Sequence, residues 1–343
     1  MQKVSTLKTK NILFNKIDAF CEQQDMLNKK NTVILACSGG PDSVFLAYYL
    51  SYRAKIVGFS VILAYFDHEW RKESKDEIVF CRNLAMTLGF EFVTSSASIF
   101  QEKIIYNGSK EEHARDLRYA FFYDTQQQKD AQYIVLAHHL DDQIETFFIR
   151  LLRGSSLSGI CGMQVRNNQL LRPLLGISKQ EIIDWLTENN ISWCHDQTND
   201  NTVFLRNNIR NAVIPALKSC DDRFVKNTEK LMRRLQSTND YLELVAKKTY
   251  EQISFLEDNV LYLCISQLLN EEKEIQYRVL LRFLIQNKVR FNESESFFKE
   301  VLRFLNNKAN THQCAKGWQL VKISRFCPCC NDQLKILVVN FLV

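Results

Sequence analysis

The feature that most constrains the fold is a short apolar run that breaks into a polar, glycine-containing turn and then continues as a helical pattern. The run covers residues 32–37, and the helical pattern begins at Val44. The turn between them consists of Ser38, Gly39, Gly40, Pro41, Asp42 and Ser43. Glycines at the start of a helix let backbone N–H groups converge at the positive end of the helix dipole, where phosphates bind. The sequence therefore predicts a strand–loop–helix unit with an anion site in its loop.

The side chains of this loop point to a nucleotide. Ser38 and Ser43 carry hydroxyl groups that can donate hydrogen bonds to phosphate oxygens. Asp42 has no place in a pure anion site, but it fits if it holds a Mg²⁺ ion that bridges phosphates. The alternative is an ordinary strand-to-helix turn in which Pro41 begins the helix. The motif G-x-x-x-x-G-K-[ST] is missing from the sequence, so the loop is not of the Walker type.

Apolar runs alternate with helical patterns over the first half of the chain. The runs cover residues 32–37, 56–66, 90–94 and 131–137, and the helical patterns between them cover residues 74–88 and 111–125. This alternation predicts an α/β fold, a doubly wound parallel sheet with helices on both faces. Ligands of such sheets bind at the carboxyl ends of the strands. Polar segments follow three of the predicted strands, at residues 38–43, 67–68 and 138–142, and we expect them to converge on one site.

The segment that follows the fourth predicted strand carries two adjacent histidines and several carboxylates. A helix that begins near Asp141 places His138, Asp142 and Glu145 on one side. Such a group can contact a metal, bind an ammonium group or accept a proton. Helix capping explains one carboxylate but not the histidines. Further along, Arg150 indicates a phosphate or RNA contact.

Several further segments carry a specific resemblance. They are Phe66-Asp67-His68 with Arg71, A-H-H-L-D-D-Q-I-E-T at 137–146, R-L-L-R-G at 150–154, L-R-P-L-L at 171–175, W-C-H-D-Q-T-N at 193–199 and L-R-N-N-I-R at 205–210. In this order, and together with the S-G-G-x-D-S loop, they resemble the tRNA(Ile)-lysidine synthetases, a branch of the ATP pyrophosphatase (PP-loop) superfamily. The resemblance covers about residues 30–217.

The resemblance implies a reaction and its participants. ATP would adenylate the 2-oxygen of the wobble cytidine of tRNA(Ile) with a CAU anticodon. The ε-amino group of free L-lysine would then displace AMP and leave lysidine. ATP and Mg²⁺ are the implied cofactors, with residues 38–43 binding the nucleotide and Asp42 the metal.

The resemblance also assigns roles to charged residues outside the loop. Arg118 and Arg210 would neutralise the pyrophosphate, since guanidinium groups match phosphate oxygens. The alternatives are an exposed helix face for Arg118 and a solvated turn for Arg210. His138, Asp142 and Glu145 would hold the lysine ammonium and receive its proton; which carboxylate acts as the base stays open.

The pattern of the chain changes after Pro215. Helical patterns at 222–250, 274–286 and 295–306 are followed by strand-like runs at 319–323 and 334–339. We therefore expect a catalytic domain over 1–214, a smaller helical tRNA-binding domain over 215–310 and a short β-containing tail over 311–343. The long helical segment carries basic residues at helical spacing, which predicts a face for a phosphate backbone, although a solvated exterior explains it nearly as well. These residues are Lys226, Lys230, Arg233, Arg234, Lys247 and Lys248.

Composition narrows the class of protein. The chain has 343 residues, a net charge of +5 and no apolar run of the roughly 20 residues that a bilayer span needs. A start without a signal-peptide pattern predicts a cytoplasmic protein with mostly buried thiols and no membrane partner. Whether it forms a homodimer stays open. The tail around Cys327–Cys330, with His312 and Cys314, suggests zinc only weakly, because a second C-x-x-C is missing.

Two other functions compete with this interpretation. A tRNA-thiolating enzyme of the same superfamily needs a C-x-x-C pair or iron–sulfur ligands beside the loop, whereas Cys37, Cys81, Cys161 and Cys194 are isolated in the sequence. A non-catalytic RNA-binding module is expected to lose Asp42 or the His138–Glu145 cluster, and the sequence keeps both.

Overall fold

The structure, a computed structural model, describes residues 12–69, 74–100, 110–194, 205–327 and 332–341. The chain divides into two compact units, Met1–Met232 and Arg233–Val343. The three-part division expected from the sequence stays a prediction.

The first unit is built around a central sheet. Its strands are β1 (Thr32–Ala36), β2 (Ser60–Asp67), β3 (Glu91–Ser96), β4 (Tyr133–Val135), β5 (Arg166–Asn167) and β6 (Leu170–Leu171). Its helices are α1 (Ile12–Gln23), α2 (Pro41–Val57), α3 (Ser74–Leu88), α4 (Ala97–Phe100), α5 (Lys110–Gln128), α6 (Leu140–Leu152), α7 (Leu157–Ile160), α8 (Lys179–Glu188), α9 (Leu205–Asn208) and α10 (Ile214–Cys220). A π-helical turn, Ile209–Val213, joins α9 to α10, and α11 (Phe224–Ile253) runs across the division between the units.

The strand order of the six-stranded sheet is β3-β2-β1-β4-β6-β5. Neighbouring strands from β3 to β6 are parallel, and only β5 pairs in the antiparallel direction within this sheet. The predicted doubly wound parallel sheet is confirmed. The strand order reverses between β1 and β4, and the loops that leave these two strands open a crevice at their carboxyl ends.

Both faces of the sheet are covered, because side chains of a strand alternate between its faces. Val33 and Leu35 of β1 pack in one hydrophobic cluster with α1, α2 and α8. Ile34, between them, packs in a second cluster with α5. All three are fully buried, as are Leu63 and Ala64 on the neighbouring strand. Burial on both faces explains why these strands are continuous apolar runs in the sequence.

The start of the second strand differs from the prediction. Residues 56 and 57 belong to the last turn of α2, and β2 begins only at Ser60. Gly58 lies between the two elements with φ 87° and ends the helix, its N–H bonding to the carbonyl of Ala54. A left-handed residue after a helix is usually glycine, because it has no Cβ to clash. The apolar run 56–66 thus combines a helix end and a strand.

The second unit contains a smaller sheet packed with helices. Its strands are β7 (Ser254–Glu257), β8 (Val260–Cys264), β9 (Thr311–Ala315), β10 (Trp318–Cys327) and β11 (Asp332–Phe341), in the order β7-β8-β11-β10-β9. Its helices besides the end of α11 are α12 (Ile265–Asn270), α13 (Lys273–Gln286) and α14 (Glu295–Asn306). The helical and strand patterns predicted here are confirmed, whereas the hairpin β7–β8 was not predicted. Residues 328–330 of the cysteine-containing tail lie outside the described residues.

A membrane span needs a long, uniformly apolar helix, and none occurs among the helices that the structure describes.

Candidate active site

The loop between β1 and α2 is a glycine turn that leads directly into a helix, as the sequence predicts. Gly39 adopts φ 79°, a conformation that side chains disfavour, and a Cβ built there lies 3.2 Å from the Sγ of Cys194. The carbonyl of Gly39 also accepts a hydrogen bond from the backbone N–H of Cys194 at 2.9 Å. Gly40 is the N-cap of α2, and Pro41 occupies the first turn. Close packing and backbone conformation therefore both require glycine at position 39.

The two serines of the loop are not equivalent. The hydroxyl of Ser43 is buried, donates to the Gly40 carbonyl at 2.9 Å and accepts from the Ser38 N–H at 3.3 Å. It therefore holds the loop closed from inside. The hydroxyl of Ser38 accepts a longer contact, 3.4 Å, from the Gly40 N–H. Both serines line the cavity described below.

Asp42 lies in the first turn of α2 and is paired with Lys179. The Lys179 Nζ lies 2.7 Å from Oδ1 and 2.6 Å from Oδ2 of Asp42. The Nε2 of His139 lies 3.7 Å from Asp42 Oδ2. Lys179 is the first residue of α8, and its backbone N–H donates to Asp141 at 2.7 Å. Lys179 was missed by the sequence reasoning, and His139 received no role of its own there.

The polar segment at residues 138–142 follows β4. His139 is the N-cap of α6, and its backbone N–H donates to Asp142 Oδ2 at 3.1 Å, which forms half of a capping box. The predicted helix start is thus confirmed, and part of Asp142 serves the cap. The other oxygen of Asp142 accepts from Arg206 Nη2 at 2.8 Å. Burial pushes the pKa of Asp142 upward, but His139 and Arg206 outweigh it, so the pKa lies below its usual value.

Glu145 is the centre of an arginine clamp. Only 2% of its side chain is exposed. Its Oε2 accepts from Arg206 Nε at 2.7 Å and from Arg210 Nη2 at 3.0 Å, and its Oε1 accepts from Arg210 Nε at 2.5 Å. Because both carboxylate oxygens are occupied by guanidinium groups, an ammonium group can bind here only if an arginine moves away. Charge-assisted pairs with Glu145 outweigh burial and raise the pKa of Arg210.

The two arginines of this clamp lie on α9 and on the π-helical turn that follows it. Arg206 lies in α9 and Arg210 in the turn that follows, and the N–H of Ile214 bonds to the carbonyl of Ile209, five residues back. Such turns often occur at functional sites. Arg206 was part of a quoted motif but received no role from the sequence, because its spacing alone does not reveal its partners.

Arg118 points its charge into the same region with a different surrounding. It lines the cavity, and within the described residues it forms no ion pair with a carboxylate. Burial lowers its pKa, although guanidinium groups stay charged in proteins. A cation of this kind is suited to bind an anion that enters from solvent. The alternative interpretation, in which Arg118 lies on an exposed helix face, does not describe this position in the cavity wall.

Two histidines near Arg118 are held in the neutral form. Burial, together with the charge of Arg118, lowers the pKa of His68 to about 4. Burial likewise lowers the pKa of His138 to about 4, against the pull of Asp142. The Nδ1 of His138 is buried and has no hydrogen-bond partner in the part of the chain that the structure describes. A neutral imidazole can accept a proton, which an imidazolium cannot.

A cavity of about 500 Å³ joins these groups. It is lined by Ala36, Cys37, Ser38, Gly40, Asp42, Ser43, Tyr65, Phe66, Asp67, His68, Glu77, Arg118, Tyr119, Phe122, Leu136, Ala137, His138, Asp142 and Cys194. The three strand ends therefore converge on one cavity, as the sequence predicts. Glu145 and Arg210 are not part of this lining. They are connected to it through Arg206, which contacts both Glu145 and the lining residue Asp142. Arg71 and residues 195–199 of the quoted motifs lie outside the described residues.

The cysteines near the loop are closer together than the sequence indicates. Cys37 Sγ lies 3.8 Å from Cys81 Sγ, and both Cys81 and Cys194 pack against Gly39. Cys37, Cys81 and Cys194, which are isolated in the sequence, therefore lie close together in the fold. Within the part of the chain that the structure describes, however, no group of three His, Cys, Asp or Glu residues is arranged to hold a metal.

Comparisons with known proteins identify relatives of this chain. The PP-loop domain family matches residues 9–217. The tRNA(Ile)-lysidine synthase of Bacillus cereus is 33% identical over 304 residues, which are 86% of this chain and 64% of that protein. The tRNA(Ile)-lysidine synthase of Petrotoga mobilis is 30% identical over 245 residues, which are 71% of this chain and 78% of that protein. The chain thus spans a little under two thirds of the length of its Bacillus relatives.

A solved structure shares the fold. The U34-tRNA thiolase of Methanococcus maripaludis, solved with its [4Fe-4S] cluster, has a TM-score of 0.52 and 15% identity over 64% of this chain and 80% of the thiolase. At this identity the likeness concerns the fold alone. The family match and the Petrotoga relative reach further: this chain belongs to the PP-loop family and, within it, to the tRNA(Ile)-lysidine synthases.

Proposed function

We propose that this chain uses ATP to join L-lysine to the 2-position of the wobble cytidine of tRNA(Ile) with a CAU anticodon, in the cytoplasm. The observation that carries the proposal is the cavity in which the glycine loop, Arg118, neutral His138 and acidic Asp142 meet, with no carboxylate paired to Arg118 among the described residues. The first three suit the nucleotide and a proton, and the last suits a cationic substrate. Relatives named tRNA(Ile)-lysidine synthase supply the substrate class.

In the first step, the 2-oxygen of cytidine attacks the α-phosphorus of ATP, and pyrophosphate leaves. The negative charge that grows on the leaving group requires positive partners. Backbone N–H groups at the start of α2 and the guanidinium of Arg118 would supply them, since both face the cavity. Arg210 would add its charge to theirs while Glu145 anchors it through Nε and Nη2.

The residues of the loop fit a magnesium ion bound with the nucleotide. Mg²⁺ prefers oxygen ligands and is often held by one or two carboxylates together with phosphates. Asp42 offers such a carboxylate beside the loop hydroxyls, with 25% of its side chain exposed. An ion held here would withdraw charge from the phosphate oxygens.

In the second step, the ε-amino group of lysine attacks C2 of the adenylated base, and AMP leaves. Lysine arrives as an ammonium group and must lose a proton first. Asp142 would hold the ammonium once Arg206 has moved, and the neutral imidazole of His138, which lines the same cavity, would accept the proton. The sequence prediction that Glu145 also binds the ammonium stays a prediction; its present contacts support a role in holding Arg210.

The direct test is incorporation of labelled lysine into an unmodified tRNA(Ile) transcript with a CAU anticodon. We expect incorporation that depends on ATP and releases AMP and pyrophosphate. A transcript with a GAU anticodon is the matched control, because it lacks a wobble cytidine. Absence of incorporation into the CAU transcript by the folded protein would refute the proposal.

Asp42→Asn tests the site within this reaction. Loss of an oriented charge at the phosphates typically costs about 10²- to 10³-fold in rate. The matched control is Asp184→Asn, which changes an exposed carboxylate on α8 that accepts a hydrogen bond from Gln180 within the described structure. We expect the control to keep wild-type turnover.

A further inference from the structure

The ammonium group of Lys179 occupies the carboxylate proposed to hold the metal. It contacts both oxygens of Asp42, at 2.7 and 2.6 Å, so neither oxygen is left without a cation. The sequence separation is 137 residues, and no motif of the sequence marks Lys179. This pair therefore belongs to the nucleotide site without having been assigned a role there.

Lys179 is mounted on a rigid element. Ser178 caps α8 in a reciprocal capping box with Glu181, and the backbone N–H of Lys179 donates to Asp141 at 2.7 Å. The helix is fixed against α1 and α2 by Trp185, whose ring stacks on Phe14 at 5.1 Å. The base of the Lys179 side chain is thus fixed, while its long stem, 39% exposed, leaves the ammonium free to move.

A metal ion and this ammonium cannot use the same carboxylate oxygens. When a metal arrives with ATP and binds Asp42, the ammonium must find another anion. Asp141 is a poor choice, because it already accepts from the Lys179 backbone and lies 3.6 Å from Lys218 Nζ. Asp142, which His139 joins to Asp42, already accepts from the His139 N–H and from Arg206. The phosphates of the incoming nucleotide are therefore the partners that we expect for the ammonium.

We propose that Lys179 is a catalytic residue that exchanges partners: it neutralises Asp42 before ATP binds and contacts the ATP phosphates once Asp42 holds the metal. The inference rests on the proposed function for its nucleotide site, but its test needs neither tRNA nor lysine. In both states the ammonium has an anionic partner, so the exchange leaves no charge unpaired.

The first measurement is Mn²⁺ binding without nucleotide, followed by electron paramagnetic resonance. Removing an ion-pair competitor of this exposure is expected to tighten binding by about fivefold in Lys179→Met. Adding Asp42→Asn to that variant is expected to abolish the gain. Unchanged Mn²⁺ affinity in folded Lys179→Met would overturn the exchange.

The second measurement is the affinity for Mg²⁺ with α,β-methylene-ATP by calorimetry. We expect about tenfold weaker binding in Lys179→Met, typical of losing one charged hydrogen bond, and a smaller loss in Lys179→Arg. Lys16→Met is the matched control, because Lys16 pairs with Glu181 of the same helix at 2.8 Å, away from the loop. Wild-type nucleotide affinity in Lys179→Met would also overturn the proposal. If the methionine variant does not fold, Lys179→Gln replaces it in both measurements.

The results of these two measurements can be interpreted independently of the test of the proposed function. A wild-type protein that fails to incorporate lysine refutes the reaction, whereas the metal and nucleotide affinities still report on Lys179. Conversely, normal lysine incorporation with unaltered affinities in the variant refutes only the role of Lys179.

Discussion

Replacing Glu145 by glutamine removes the charge that holds Arg206 and Arg210 while keeping the size of the side chain. Glu145 is almost fully buried and accepts three hydrogen bonds from the two guanidinium groups. A glutamine amide offers one acceptor oxygen and turns an N–H₂ group toward a cation. We therefore expect Glu145→Gln to lower both the stability of the protein and the rate of adenylation.

The magnitude follows from the burial of each partner. Removing one member of a buried ion pair costs about 3–5 kcal/mol. The arginine side chains are 42% and 36% exposed, so water recovers part of this loss. We expect a loss of about 2–4 kcal/mol in the free energy of unfolding. For a unit of about 150–250 residues this lowers Tm by about 4–16 °C.

Scanning calorimetry measures the stability, and pyrophosphate release with tRNA but without lysine measures adenylation. We expect adenylation to fall about tenfold, because Arg206 and Arg210 lose their anchor. Glu243→Gln is the matched control, since Glu243 also contacts two arginines, Arg278 and Arg282, in the second unit. A Tm within about 1 °C of wild type would refute the anchoring role. So would a loss confined to lysine transfer, which would favour direct binding of the ammonium.

Three further predictions concern the acid–base pair and the long helix. Asp142→Asn is expected to lower lysine transfer about tenfold more than pyrophosphate release, measured as separate half-reactions, and equal losses would contradict an ammonium site. The pKa of His138 is 6.5 in the unfolded chain and about 4 in the folded protein, so between these pH values the unfolded chain binds more protons. The free energy of unfolding should therefore decrease as the pH falls from 6.5 to about 4. Denaturant titrations at pH 7 and pH 5 measure this decrease, and His138→Asn should make it smaller. An unchanged decrease would mean that another titrating group causes it. Reversing three exposed basic residues of α11 to glutamate should raise the KM for tRNA, leave that for ATP nearly unchanged and flatten the dependence of tRNA affinity on salt; normal binding at all salt concentrations would place the tRNA surface elsewhere. These residues are Lys230, Arg233 and Arg234.

The sequence predicted the parts of the fold that local patterns determine. Strand β1 is a continuous apolar run because both of its faces are buried, and the turn after it contains the glycines that its backbone needs. Helix α6 begins where the capping carboxylate of Asp142 indicates. The hairpin β7–β8 was not predicted, since its first strand has only four residues and no fully buried side chain to mark a face.

The contacts within the site were less predictable, because they join residues far apart in the chain. Lys179 reaches Asp42 over 137 residues, and Arg206 reaches Asp142 over 64. Spacing within a segment carries no signal for such pairs. Arg150, expected at a phosphate or RNA, instead contacts the carbonyl of Gly159 and donates to that of Gly162 at 2.7 Å. Charge type alone does not reveal whether an arginine serves a ligand or its own backbone.

The π-helical turn carries one residue that a regular helix at this place would not need. A π turn accommodates one residue more than an α turn within about the same rotation. Deleting a single residue between Arg210 and Ile214 would therefore let the turn relax to an α-helix, with Ile214, buried at 5% exposure, staying on its side of the helix. In a regular helix such as α11, the same deletion would rotate everything beyond it by about 100°. We therefore expect a one-residue deletion to be tolerated better in this turn than in the middle of α11.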